Sequence, residues 1–154
     1  MTGRMFSLLA AALLIMPVFG CARIRPPDGV QGFKREMNVS AYSNSRKDTN
    51  WKRNWLLQPV IASGPDKGKP KKVGVTASGT KARHGTIAAD TTRYPFGTVM
   101  FVPGYGWGRV EDRGSAIKGD KLDLWHSSRK KARAWGRKQL TVTIWLPPGW
   151  QPPD

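Results

Sequence analysis

Five of the ten carboxylate side chains in this 154-residue chain, Asp90, Glu111, Asp112, Asp120 and Asp123, fall between positions 90 and 123. The chain around them is strongly basic, with 26 Lys and Arg and a formal net charge of +16. Carboxyl groups gathered in that way suit proton transfer, because like charges and partial burial raise a carboxyl pKa and let one member keep its proton at neutral pH. Lys118 and Arg113 lie close in sequence and pull the other way. Asp90 closes "TIAAD", Asp112 closes "GRVED", and Asp123 sits inside "KLDLW" between apolar neighbours. One such aspartate reads as a turn residue bonded to nearby amides. Three in succession read as a site. No metal is indicated: His84 and His126 lack ligand spacing and read as surface or packing residues, and the acids do not follow the Asp-x-Asp-x-Asp-Gly pattern of a calcium loop.

The elements that must position these acids are short and mostly extended. Gly 17 and Pro 12 together approach a fifth of the chain, above an average usage of roughly 12%, which means many turns. "MNVSAYS" alternates Met37, Val39 and Ala41 with polar residues, as a strand does. "VGVTASG", "TIAAD", "GTVMFVPG", "GWGRVEDRG", "DKLDLW" and "QLTVTIWLP" are strand candidates bounded by Gly, Pro or Asp. Their spacing suits a small sandwich or barrel. One helix is predicted over "SSRKKARAWG", with Ser127 or Ser128 as N-cap and Gly136 as the stop. Residues 44–72 form a basic excursion with Trp51 and Trp55, which either covers a groove or decorates the fold. The tail 147–154, "PPGWQPPD", cannot continue a sheet, because proline has no N–H to donate.

The first twenty residues read as an export signal. Arg4 precedes an apolar run from Met5 to about Val18, too short for the ~20 residues of a transmembrane helix. The run ends in Val18-Phe19-Gly20-Cys21, and Cys21 is the one cysteine of the chain. This resembles the lipobox of bacterial lipoproteins, which implies a lipid on Cys21 and, with Ala22 after it, anchoring in the outer membrane facing the periplasm. An ordinary secretory peptide with a chance cysteine is the alternative. Residues 21–36, with Pro-Pro and two glycines, read as a tether. A lone cysteine allows no internal disulfide, so the fold rests on its core. Removing residues 1–20 leaves 25 Lys and Arg against 10 Asp and Glu, a formal +15, which attracts polyanions. For an exported chain these are cell-wall polymer or lipid head groups rather than nucleic acid.

Five ordered motifs, "VTASGT", "IAADTTRYPFGT", "GYGWGRVEDRG", "AIKGDKLDLW" and "ARAWGRK", resemble the bacterial 3D (Asp-Asp-Asp) domain, over about residues 37–146. The resemblance includes Asp112 and Asp123 at the family's spacing. It implies a mainly β fold, a six-stranded double-psi β-barrel with one short helix, acting as a monomer without a cofactor. It also implies a groove for a peptidoglycan glycan strand and a lytic transglycosylase reaction, with Asp123 as acid and base and Asp112 and Asp90 positioning it. Thr80 and Lys118 fall in matching motifs and are candidate groove residues. Arg113-Gly114-Ser115 stands where family members commonly have Thr-Gly-Gly, and "DRG" also occurs in the rare lipoprotein A group, whose members include mere glycan binders. A non-catalytic peptidoglycan-binding lipoprotein is therefore the second reading. Aromatic rings stack on sugar faces or pack cores, and Tyr105, Trp107 and Trp125 are the rings expected near substrate.

Overall fold

The computed structural model describes residues 23–151. The expected signal segment, Cys21 and the last residues of the tail lie outside that range. Six strands close a barrel in the order β1-β7-β4-β6-β5-β8. They are β1 (Phe33–Tyr42), β4 (Thr86–Ala89), β5 (Val99–Val102), β6 (Gly106–Asp112), β7 (Lys121–Trp125) and β8 (Lys138–Trp145). A two-stranded ribbon, β2 (Trp51–Arg53) with β3 (Pro59–Ile61), lies in the 44–72 excursion, and α1 (Arg129–Trp135) precedes β8. The expected class is met: mainly strands, one closed barrel and one short helix.

Two of the six pairings are parallel, β1 with β7 and β4 with β6, and the other four are antiparallel. Exchanging β1 with β6, β4 with β7 and β5 with β8 maps every pairing and its sense onto another pairing of the same set. That internal two-fold relation is the double-psi topology. Its axis passes through the middle of the antiparallel β4·β7 pair, where Ala88 faces Asp123.

Alternation builds the core. Val39, Ile87, Ala89, Val110, Leu122, Leu124, Val142 and Ile144 point inward and are buried with Met37 and Met100. Closure of the barrel removes sheet edges and pairs the backbone throughout. Close packing also explains Gly108, where an added Cβ would come within 2.5 Å of the Ile87 side chain and 3.0 Å of the Gly85 carbonyl. The helix forms where expected: the Ser128 side chain accepts a hydrogen bond from the Lys131 N–H, and Gly136 ends it at φ 73°.

Two expectations change. β1 starts at Phe33 rather than Met37, because Phe33 to Val39 pairs antiparallel with β8, so the segment expected as a tether is partly sheet. Upstream, Ile24 lies against Gly85, and Gly32 lies under the Trp145 ring. "VGVTASG" is not a strand. It holds a tight turn closed by a Val75–Lys81 bridge, in which the Thr76 N–H donates to the Thr80 carbonyl at 2.8 Å and the two hydroxyls lie 2.9 Å apart. Serine and threonine hydroxyls bonding local groups compete with a ladder, and here they win.

Candidate functional site

The site starts from strand parity. In β7, Leu122 and Leu124 enter the core, so Asp123 faces outward. Its ladder partners are Ser40 of β1 and Ala88 of β4, and Ala88 is in turn partnered by Asp112 of β6. Ser40, Asp123, Ala88 and Asp112 therefore form one transverse row on the outer face of four neighbouring strands. At ~4.8 Å between strands, the backbones of Asp123 and Asp112 stand roughly 10 Å apart, with only a methyl group between them.

Asp112 reaches that row through a β-bulge. Ile87 pairs with Val110, but Ala88 pairs with Asp112, leaving Glu111 as the extra residue. Strict alternation would have aimed Asp112 into the core, and the bulge re-aims it. Glu111 is buried instead, held by Arg83 at 3.0 Å and by the Thr86 hydroxyl at 2.8 Å. Asp112 is fixed on three sides: Tyr42 donates its hydroxyl at 2.8 Å, the Ala77 N–H donates at 3.0 Å and the Arg113 N–H at 2.9 Å.

Above the row lies a groove of about 480 Å³. Its floor includes Ala88, Asp112 and Asp123. One wall comes from Asn44, Asp48 and Asn50 with the loop 71–77, and the other from Arg113 to Ser115 with Ile117. The 44–72 excursion thus lines the groove, which resolves the two options the sequence left open. Asp48, on that excursion, accepts from the Ser43 hydroxyl at 2.6 Å and the Ser43 N–H at 3.1 Å, and lies 3.6 Å from the Arg129 guanidinium.

The two acids near the floor differ in proton affinity. Burial pushes the Asp123 carboxyl up to about 6, against a hydrogen bond from the Ser40 hydroxyl at 3.1 Å and the pull of Arg137, while the Asp48 and Asp112 carboxylates add to the rise. Burial also pushes Asp48 upward, but hydrogen bonds from Ser43 and the charge of Arg129 hold it below the usual carboxylate range. Burial and Asp112 raise the Tyr42 hydroxyl, so it stays a donor. The arrangement offers one carboxyl of raised proton affinity, Asp123, beside Asp112 and near Asp48, on an open floor.

Other residues singled out from the sequence are placed differently. Asp90 lies at the end of β4, and its carboxylate accepts from the Gly119 N–H at 2.9 Å and the Thr92 hydroxyl at 2.8 Å, with the Lys118 ammonium 3.9 Å away. The Gly119 bond, the Thr92 bonds and Lys118 together lower its pKa in spite of burial. Asp90 pins the 90–92 turn to the 118–119 loop, whereas the charges that raise Asp123 are those of Asp48 and Asp112. Lys118 is exposed beside a neighbouring hollow with Thr92 and Ser115. Thr80 stands behind the wall, bonded to Thr76. Trp125 reaches the rim, donating its indole N–H to Asn44 at 2.9 Å.

Tyr105 does not line the groove. It is buried in the core, where its hydroxyl accepts from the Gly85 N–H and donates to the Trp125 carbonyl, both at 2.9 Å. Its ring packs between His84 and His126, which gives both histidines a packing role. Trp107 is also removed from the groove: it packs on Phe101 and Trp145 and lines a separate hollow with Ile24 and His84. Tyr105 lies in the glycine-rich connection between β5 and β6, and Trp107 at the start of β6. Ser40, Tyr42, Asp48 and Ala88 are site residues the sequence did not single out. Ser40 and Tyr42 had a signal, as the polar-face positions of a strand whose other face is Val39 and Ala41.

Residues 85–146 match the family described as the 3D domain. The chain is 36% identical over 75 residues to the putative cell wall shaping protein YabE of Bacillus subtilis (strain 168), and 37% identical over 75 residues to the cell wall-binding protein YocH of the same organism. Each alignment covers 46% of this chain, but only 18% of YabE and 26% of YocH. Among solved structures, the crystal structure of MltA from E. coli matches with a TM-score of 0.40 and 21% identity, over 49% of this chain and 29% of that one.

Proposed function

We propose, on the premise that residues 85–146 are a 3D domain, that the protein is a peptidoglycan lytic transglycosylase of cell-wall turnover with Asp123 as its acid and base. One observation carries this reading: a half-buried carboxyl pushed up to about 6 lies on a groove floor left open by Ala88. The cell-wall names of its relatives support the substrate class.

In the reaction, Asp123 gives its proton to the glycosidic oxygen as the β-1,4 bond after N-acetylmuramic acid breaks. The 6-hydroxyl of the same sugar attacks the anomeric carbon, and its proton returns to the Asp123 carboxylate. The product is a 1,6-anhydro ring, no water is consumed, and one carboxyl serves both halves. Burial raises the proton affinity of Asp123, the charges of Asp48 and Asp112 add to the rise, and Tyr42 fixes Asp112. The general acid must hold its proton, so activity falls as pH rises above about 6. No cofactor is required. In this reading residues 1–20 are the export signal, residues 21 to about 32 link lipid on Cys21 to the domain, and the monomeric domain faces the periplasm from the outer membrane. The basic surface meets wall polymer, and nucleic acid has no part.

The second reading is a groove that grips the glycan without cutting it, in keeping with the cell wall-binding name of YocH. Mass spectrometry of soluble products from purified peptidoglycan separates the two. Release of 1,6-anhydromuramic fragments by the wild type but not by Asp123→Asn is the expected result. Binding of both proteins to the wall with no release by either would leave the binding reading in place.

A further inference from the structure

Beside the groove lies a second cavity, of about 350 Å³, lined by Ser40, Asp48, Arg129, Arg133 and Arg137. Arg129 and Arg133 stand one helical turn apart on α1, where a spacing of four puts side chains on the same face, and Arg137 follows the Gly136 cap. The cavity meets the groove at Asp48, which lines both. It also adjoins the floor, because Ser40 in its wall hydrogen-bonds Asp123.

The charges in this cavity do not balance. Asp48 is the one carboxylate in the wall, and it is already bonded to Ser43 and faces Arg129 at 3.6 Å. The Arg129 Nε is buried without a hydrogen-bond partner. Arg133 and Arg137 form no ion pair among the described residues. Three arginines thus line one cavity beside the groove, Arg129 facing Asp48 through its Nε and the exposed Arg133 and Arg137 without an ion pair among the described residues, and a guanidinium fork matches a carboxylate in a bidentate pair.

We propose that this cavity is a subsite for a carboxylate carried by the wall polymer, supplied by the peptide branches of a glycan strand lying in the groove. The inference rests on the peptidoglycan reading and adds a substrate preference to it: strands bearing peptides are bound ahead of bare glycan. A bare strand carries N-acetyl and hydroxyl groups and the lactyl carboxylates, whereas a peptide branch projects free carboxylates several ångströms to the side.

The test is fluorescence-polarisation binding of labelled glycan strands of equal length, with and without peptides, to the Asp123→Asn protein, which keeps the strands uncut. Peptide-bearing strands are expected to bind about tenfold more tightly, the scale of one charged hydrogen-bonded contact. Adding Arg133→Gln removes most of that preference, while Lys67→Gln on the excursion leaves it in place. An unchanged melting temperature for the Arg133 variant shows that the fold is intact. Equal affinity for the two strand forms, or a preference that survives Arg133→Gln, overturns the subsite and leaves the groove reading standing. Binding to neither form overturns the peptidoglycan reading and this inference with it.

Discussion

Asp123 is a group the folded state would rather keep neutral. Its pKa moves from 3.8 to about 6 on folding, so the folded protein holds a proton that the unfolded chain releases between those values. Stability contributed by the neutral carboxyl is complete below pH 3.8, declines as pH rises to about 6 and stays lost above it. Asparagine at position 123 cannot ionise and escapes that loss. Asp123→Asn is therefore expected to be more stable than the wild type at pH 8, by on the order of 2 kcal/mol, with the advantage vanishing near pH 3.5. Thermal melts across pH check this without reference to any substrate, and equal melting temperatures at pH 8 would contradict the assigned burial. The sequence made Asp123 legible because an acid between two leucines must face out of a core strand. It made Asp90 equally visible but not its partners, since the Gly119 and Thr92 bonds depend on how two loops meet. The burial of Tyr105 left no mark, because a ring in a glycine-rich turn looks exposed until the loops around it are placed.

At the scale of elements, the barrel strands and α1 were legible from alternation, flanking turns and caps. The bulge left only a faint mark: Glu111 and Asp112 in succession cannot both alternate into a core. The excursion left none. Which of its residues meets the groove depends on the path of a long connection, and nothing in "SNSRKDTN" favours Asp48 over its neighbours. Its effect is nonetheless measurable. Asp48 raises the Asp123 pKa and balances Arg129, so Asp48→Asn withdraws a negative charge and leaves a positive one. The Asp123 titration is expected to move below about 6, as read by carboxyl ¹³C chemical shifts. A titration that stays where it was would mean that the excursion shapes the groove without tuning it.

At the scale of the whole molecule, the +16 charge acts over distances that salt sets. The Debye length falls from ~10 Å at 0.1 M to ~3 Å at 1 M. Sedimentation with isolated wall is expected to weaken steeply over that range if the basic surface supplies much of the affinity, and salt-insensitive retention would assign the affinity to the groove alone. The composition made this property plain, but not the pairing scheme that closes the barrel, because parallel neighbours far apart in sequence leave no local trace.

That pairing scheme has a consequence for polarity. A surface with a true two-fold axis looks the same to a strand laid across it head first or tail first. A glycan chain has a reducing and a non-reducing end, and a catalyst that cuts on one side of a given sugar must tell them apart. Here the axis passes between Ala88 and Asp123, equivalent positions that carry a methyl group and a carboxyl group. The 44–72 excursion, inserted after β1 with no counterpart after β6, walls the cleft unevenly. A barrel whose backbone has no sense of direction acquires one from unmatched side chains at equivalent positions, Ala88 with Asp123 and Ser40 with Asp112, and from an unmatched arm, and in the proposed reading the orientation in which a glycan strand lies follows from those differences.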